Sequence, residues 1–186
     1  MENGLLRNKR GLSEVVTVLI LLVVGVLLAA VVTYYATNVT LSRTTLEEAR
    51  SSYERIWVNE TGSVTAFKLK NIGGRDLLID GVKIRGIEAD WEEVYYHRVP
   101  SGTEVKGDMN VTSPTNLTGT NITISGRPYS QAKLDIPLVS NCMILFYIRG
   151  PDNIQIEDVG TTVNLCVYTN NSQYISECNV ESATQQ

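Results

Sequence analysis

The chain has 186 residues, 19% of them charged, and a formal net charge of −4. That length suits one compact domain plus something extra, and the charge balance argues against nucleic acid as a main partner. One histidine and three cysteines leave almost nothing from which to build a His/Cys metal centre, so no metal and no cofactor is expected.

The mean hydropathy of −0.03 averages two unlike parts, a greasy first 35 residues and a polar remainder rich in Thr, Asn and Ser. Between Gly11 and Ser42 Glu14 is the one charged residue, and from Val15 to Val32 only Thr17 carries a polar side chain. Eighteen such residues reach the lower limit for spanning a bilayer, and a helix lying on a soluble core would keep a polar face. Arg7, Lys9 and Arg10 precede the run, which keeps the N-terminus cytoplasmic and sends the rest outside. Ala29-Ala30 followed by valines is a poor secretory cleavage site, so the segment is expected to stay on the chain.

Past Tyr35 the apolar residues Val39, Leu46, Ala49, Tyr53 and Ile56 keep helical spacing, and neither Pro nor Gly intervenes between Gly25 and Gly62. The pattern predicts one helix over residues 12–55, roughly 65 Å long at 1.5 Å per residue and about twice a membrane core. From Ile56 the period changes to two. Candidate strands are Val64–Asn71, Asp76–Asp80, Val82–Gly86, Glu93–Val99, Asn121–Ser125, Cys142–Arg149, Thr162–Thr169 and Tyr174–Cys178, with Asp80-Gly81 reading as a tight hairpin turn. The expected fold class is α+β: a long N-terminal hydrophobic helix, then an all-β immunoglobulin-like sandwich or small barrel over residues 56–186.

The string from Arg7 to Val16, R-N-K-R-G-L-S-E-V-V, followed by the apolar run, resembles the class III leader of type IV pilin-like proteins. It is most similar to the crenarchaeal branch, which holds archaeal adhesion pilins and, more distantly, archaeal flagellum subunits. K-L-K-N-I-G-G-R-D-L-L-I-D-G-V-K-I also resembles the first hairpins of archaeal pilin heads. The resemblance implies a leader over residues 1–11, cut by a membrane prepilin peptidase at Arg10-Gly11-Leu12. Glu14 becomes the third mature residue, where the bacterial pattern has a glutamate at the fifth. It either pairs with the amino terminus of a neighbouring subunit or, with Ser13, caps the start of the helix. Further partners implied are a pilus assembly ATPase, a membrane platform protein, the membrane before assembly, and other copies of the chain. Val15, Val16, Val18, Leu19, Leu22, Val23, Val26, Leu27 and Val31 would form the filament core.

Six N-x-[ST] triplets begin at Asn38, Asn59, Asn110, Asn116, Asn121 and Asn170, where composition alone gives about two. They point to N-glycosylation outside the cell. Residues 108–124 hold three of them and read as a surface loop leading into a strand. Cysteines in an exported chain suggest one disulfide and one thiol left over. Cys166 and Cys178 are equidistant from Ser172, so a simple hairpin would pair them, with Cys142–Cys178 as the next choice. No nucleophile motif or phosphate loop occurs, so no enzymatic activity is expected. His97 reads as a strand-face residue, and Asp90, Glu92 and Glu93 as a solvated turn.

The expected function is structural: the subunit of an extracellular type IV pilus-like adhesion filament. Alternatives are an archaeal flagellum (archaellum) filament subunit and a monomeric membrane-anchored β-sandwich binding module.

Overall fold

A computed structural model describes residues 3–151 and 153–183, with side chains described for 11–42, 44–151 and 153–183. The chain divides into two units, Met1–Thr44 and Thr45–Gln186.

The first unit is a single helix, α1, Asn3–Thr45. It passes through Gly11 and Leu12 without a break, so Ser13 and Glu14 lie inside the helix rather than at its start. The Ser13 carbonyl already accepts a bond from the Thr17 hydroxyl, 2.9 Å away. The expected boundary at 12 is therefore not a boundary of the uncut helix.

The far end also differs from expectation. α1 stops at Thr45, and residues Ala49–Asn59 form strand β1. Periodicity over 46–55 did not decide the matter because a loop from elsewhere takes the backbone first. The N–H groups of Ile72 and Gly73 donate to the Glu48 carbonyl, and that of Gly74 to the Leu46 carbonyl. A continued helix would need both carbonyls for its own ladder. The approach is so close that a side chain at Gly73 would meet the Leu46 oxygen at 2.5 Å.

Beyond β1 the head contains β2 (Gly62–Asn71), β3 (Leu77–Ile84), β4 (Ile87–Glu88), β5 (Val94–Val99), β6 (Asn121–Ile124), β7 (Arg127–Gln131), β8 (Ile136–Leu138), β9 (Met143–Arg149), β10 (Thr162–Thr169) and β11 (Gln173–Ser182). They form one mixed sheet in the order β4-β3-β10-β11-β1-β2-β9-β5-β7-β6, with β8 on β3. The sheet curves into a half-barrel. This agrees with the expected α+β class of N-terminal helix plus β-sandwich or barrel. β1 and β11 run parallel; the other described pairs are antiparallel.

Asp80-Gly81 is not a turn. β3 runs straight through it, and the register against β10 slips there in a bulge. The turn comes four residues later, at Arg85 (φ 50°) and Gly86 (φ 84°), which join β3 to β4 with both residues left-handed.

Two buried clusters lie on the two faces of the central strands. The main one gathers Ile56, Phe67, Leu69, Ile144 and Phe146 with Ile79, Ile84, Leu165 and Val180. The second holds Trp57, Tyr95, Leu117, Tyr129, Leu145 and Tyr147. β9 feeds both, which is why its sequence M-I-L-F-Y-I is continuously apolar.

Candidate functional site

In α1 every residue from Gly11 to Ser42 is exposed. This covers the whole expected core set: Val15, Val16, Val18, Leu19, Leu22, Val23, Val26, Leu27 and Val31 lie between 45% and 66% exposed. Gly11–Ser42 is long and apolar enough to cross a membrane. At 32 residues it measures about 48 Å, beyond the ~30 Å of a hydrocarbon core.

Six of its hydroxyls are turned inward to the backbone. Thr17, Thr33, Thr37 and Thr40 donate to the carbonyl four residues back at 2.8–2.9 Å, as do Ser42 at 2.9 Å and Thr44 at 3.2 Å. A hydroxyl bonded this way adds little cost in an apolar medium. Leu12 is 72% exposed, and a side chain at Gly11 would meet nothing within 4 Å. The side chain of Arg10 lies outside the described residues, as do Met1 and Glu2 of the expected leader.

The sequons sit at separate places. Asn38 is exposed on α1. Asn59 closes β1 and is half-buried, its side-chain oxygen accepting from the Thr61 N–H at 2.9 Å. Asn116, Asn121 and Asn170 are exposed, Asn121 on edge strand β6 and Asn170 in the β10–β11 turn. Asn110 is exposed too, with its amide donating to the Ser125 hydroxyl.

The loop around 108–120 is at the surface, as expected, yet it is packed. Met109, Thr112, Pro114 and Leu117 are buried. The Tyr95 hydroxyl donates to the Leu117 carbonyl at 3.1 Å and that of Tyr147 to the Asn110 carbonyl at 2.9 Å. The loop is the lid of the second cluster.

The expected Cys166–Cys178 disulfide does not form; Cys142, Cys166 and Cys178 are free thiols. Tyr168 pairs with Gln173, which centres the hairpin between Asn170 and Asn171 rather than on Ser172. Cys178 then opposes Val163, and Cys166 opposes Ile175. A three-residue offset is odd, so the two thiols fall on opposite faces of the sheet. Burial pushes the Cys178 thiol up to about 11, with Glu54 and Glu181 adding to the effect. Cys142 is half-buried against the main cluster.

Sequence reasoning missed the aromatic group of the second cluster and Arg55. Tyr129 stands edge-on to Tyr147 with ring centres 5.2 Å apart, and Trp57 stacks on Tyr147 at 6.4 Å. Burial raises the Tyr129 phenol to about 12 and moves the Tyr147 phenol up as well. Arg55 bridges Asp108 at 2.6 Å and Glu181 at 2.7 Å, joining three distant parts of the chain. No local signal marks such a residue, because both partners are set by topology. His97 lies on strand β5, as expected, with Nδ1 donating to the Pro128 carbonyl at 2.7 Å. Glu93 pairs with Arg149 at 3.5 Å. Among the described residues no three His, Cys, Asp or Glu converge as metal ligands would.

Set against known proteins, the chain matches no family model and no curated protein.

Proposed function

We propose that this chain is the structural subunit of an extracellular type IV pilus-like adhesion filament, which polymerises through α1. The observation that carries the reading is the contrast between a self-contained head and a 32-residue apolar segment exposed on every side. Removing an apolar side chain from water contributes roughly 1.5–3 kcal/mol, so α1 is stable only where something covers it. Before assembly that cover is the membrane, with the N-terminus cytoplasmic. After assembly it is the helices of other subunits.

Excess length supports a filament over a simple anchor. A plain anchor needs about 20 residues, which Val15–Val32 nearly supplies by itself, yet the exposed and uncharged helix runs on through Ser42. In this reading the prepilin peptidase cuts after Gly11, and an assembly ATPase with a membrane platform protein extrudes the trimmed subunit. Gly11 weakens the helix at that point, because glycine is about 1 kcal/mol worse than alanine within a helix, which eases unwinding for the cut. The chain acts without a cofactor and performs no catalysis. Glycans at exposed sequons would clothe the head outside the cell.

Electron microscopy of cell-surface filaments, with mass spectrometry of their subunit, tests this. The expected result is filaments built of this chain, starting at Leu12 and carrying hexoses on peptides from 108–124. A monomeric anchored head would give no filaments, and changing Arg10-Gly11 would leave its behaviour unaltered. Rotating filaments that drive swimming would instead place it with the archaellum subunits.

A further inference from the structure

We propose that the head closes along the seam between β1 and β11, so that β11 is the last strand to dock and the first to release. The sheet has two halves. One runs β1-β2-β9-β5-β7-β6 and the other β11-β10-β3 with β4 and β8. Among the described residues the strand ladder between them runs through the β1–β11 pair, while side chains add bonds from Asn71 to the Leu138 carbonyl at 3.2 Å and from Arg98 to the Pro137 carbonyl at 2.6 Å.

That pair is the thinnest joint in the path between the halves' long strands. β1 and β2 are in register at nine positions and β10 and β11 at seven. β1 and β11 are in register at three, Ile56–Val180, Trp57–Glu181 and Val58–Ser182. Upstream of those three the ladder stops. There Ser51 of β1 and Ser176 of β11 carry buried hydroxyls without a hydrogen-bond partner. An unpartnered buried hydroxyl is more comfortable once water reaches it, so both favour the open seam.

Side-chain fasteners sit at both ends of the seam: ahead of β1 the Glu47 carboxylate accepts from the Thr169 hydroxyl and, at 2.7 Å, from the Asn171 amide. Arg55 on β1 reaches Glu181 on β11 at 2.7 Å, and the Ala183 N–H donates to the Val58 carbonyl at 2.9 Å. The ion pair is partly solvated, with side chains 31% and 45% exposed.

The cores divide unequally. The second cluster, from Trp57 to Tyr147, is built by the first half and its lid loop, with only the partly buried Ala183 added from beyond β11. The main cluster needs both halves. With the seam open, the first half keeps one complete core and the second half keeps none of its own. The seam also joins residues 56 and 180, nearly the whole head apart in sequence, so its closure bears the largest loop entropy. An N-terminally held chain therefore carries a stable half-head that is completed only when residues 173–182 arrive. This holds whether or not subunits polymerise.

Hydrogen exchange on the unaltered full chain in detergent tests it. Amides of β11 should exchange at least about ten-fold faster than those of β2 and β9 under native conditions. Equal protection across the head, meaning a single all-or-none opening, would overturn the proposal. A second measurement uses Cys142→Ser with Cys166→Ser, leaving Cys178 as the sole thiol. Adding Glu181→Gln should speed Cys178 labelling about five-fold or more while the exchange of β9 amides stays unchanged. Unchanged labelling, or β9 loosened to the same degree, would also count against it.

Discussion

Two stretches of this chain are nearly pure hydrocarbon, Val15–Val32 in α1 and Met143–Ile148 in β9, and they meet opposite fates. Met143–Ile148 is buried on both faces, between β2 and β5 and between two side-chain clusters. The α1 run is exposed throughout. Apolarity alone therefore does not say where a segment goes; it says only that something must cover it. For β9 the cover is elsewhere in the same chain. For α1 it must come from outside, and under the filament reading it is lipid first and other copies later.

The sharpest way to break the comparison is to charge the uncovered run. Val24→Asp or Leu28→Asp should abolish filaments while the head keeps its melting temperature, since a buried unpaired carboxylate costs several kcal/mol in every subunit. Normal filaments by electron microscopy would show that these residues are not in a dry core. The converse change is Phe146→Ala in β9, where Phe146 stacks on Phe67 with ring centres 4.9 Å apart. It should destabilise the head by about 3–5 kcal/mol in denaturant titrations and leave membrane insertion of α1 intact.

Alkali should also separate the two regions. The Tyr129 phenol, raised by burial to about 12, favours the neutral form in the folded head. A folded value above the unfolded one gives stability that is complete below pH ~10 and lost as the pH rises toward 12. Cys178, raised to about 11, acts in the same direction from pH ~9. Melting curves from pH 8 to 12 should show a progressive loss of stability, of which Tyr129→Phe should remove about 2–3 kcal/mol at most. The helical content of α1 should not follow that curve. The smallest effect expected is that of a reductant. With Cys166 and Cys178 on opposite faces, dithiothreitol should leave the melting temperature of the head where it was, and a fall would reveal a disulfide after all.

What could be read in advance follows from the range of the interactions. The uninterrupted run after Arg10 needs no partner to be recognised, and seven of the strands carry their own alternation and turn residues. β1 was hidden because residues 49–55 also fit a helix, and the choice fell to a loop some 25 residues away that captures the Leu46 and Glu48 carbonyls. Asp80-Gly81 looked like a turn because nothing local shows that β10 will hold β3 straight through it. The cysteine pairing failed because the hairpin bends between Asn170 and Asn171 rather than at Ser172, which shifts the register by three residues.

The sequence by itself determined the division into an apolar helix and a β-rich head, because hydropathy and periodicity are properties of each segment alone. Only the tertiary structure decided where the helix stops, which face each thiol takes, that the 108–120 loop is a packed lid, and that the first and last strands meet in a short parallel seam. Each of these depends on which distant backbone reaches a given carbonyl or face first, and that is a property of the fold as a whole.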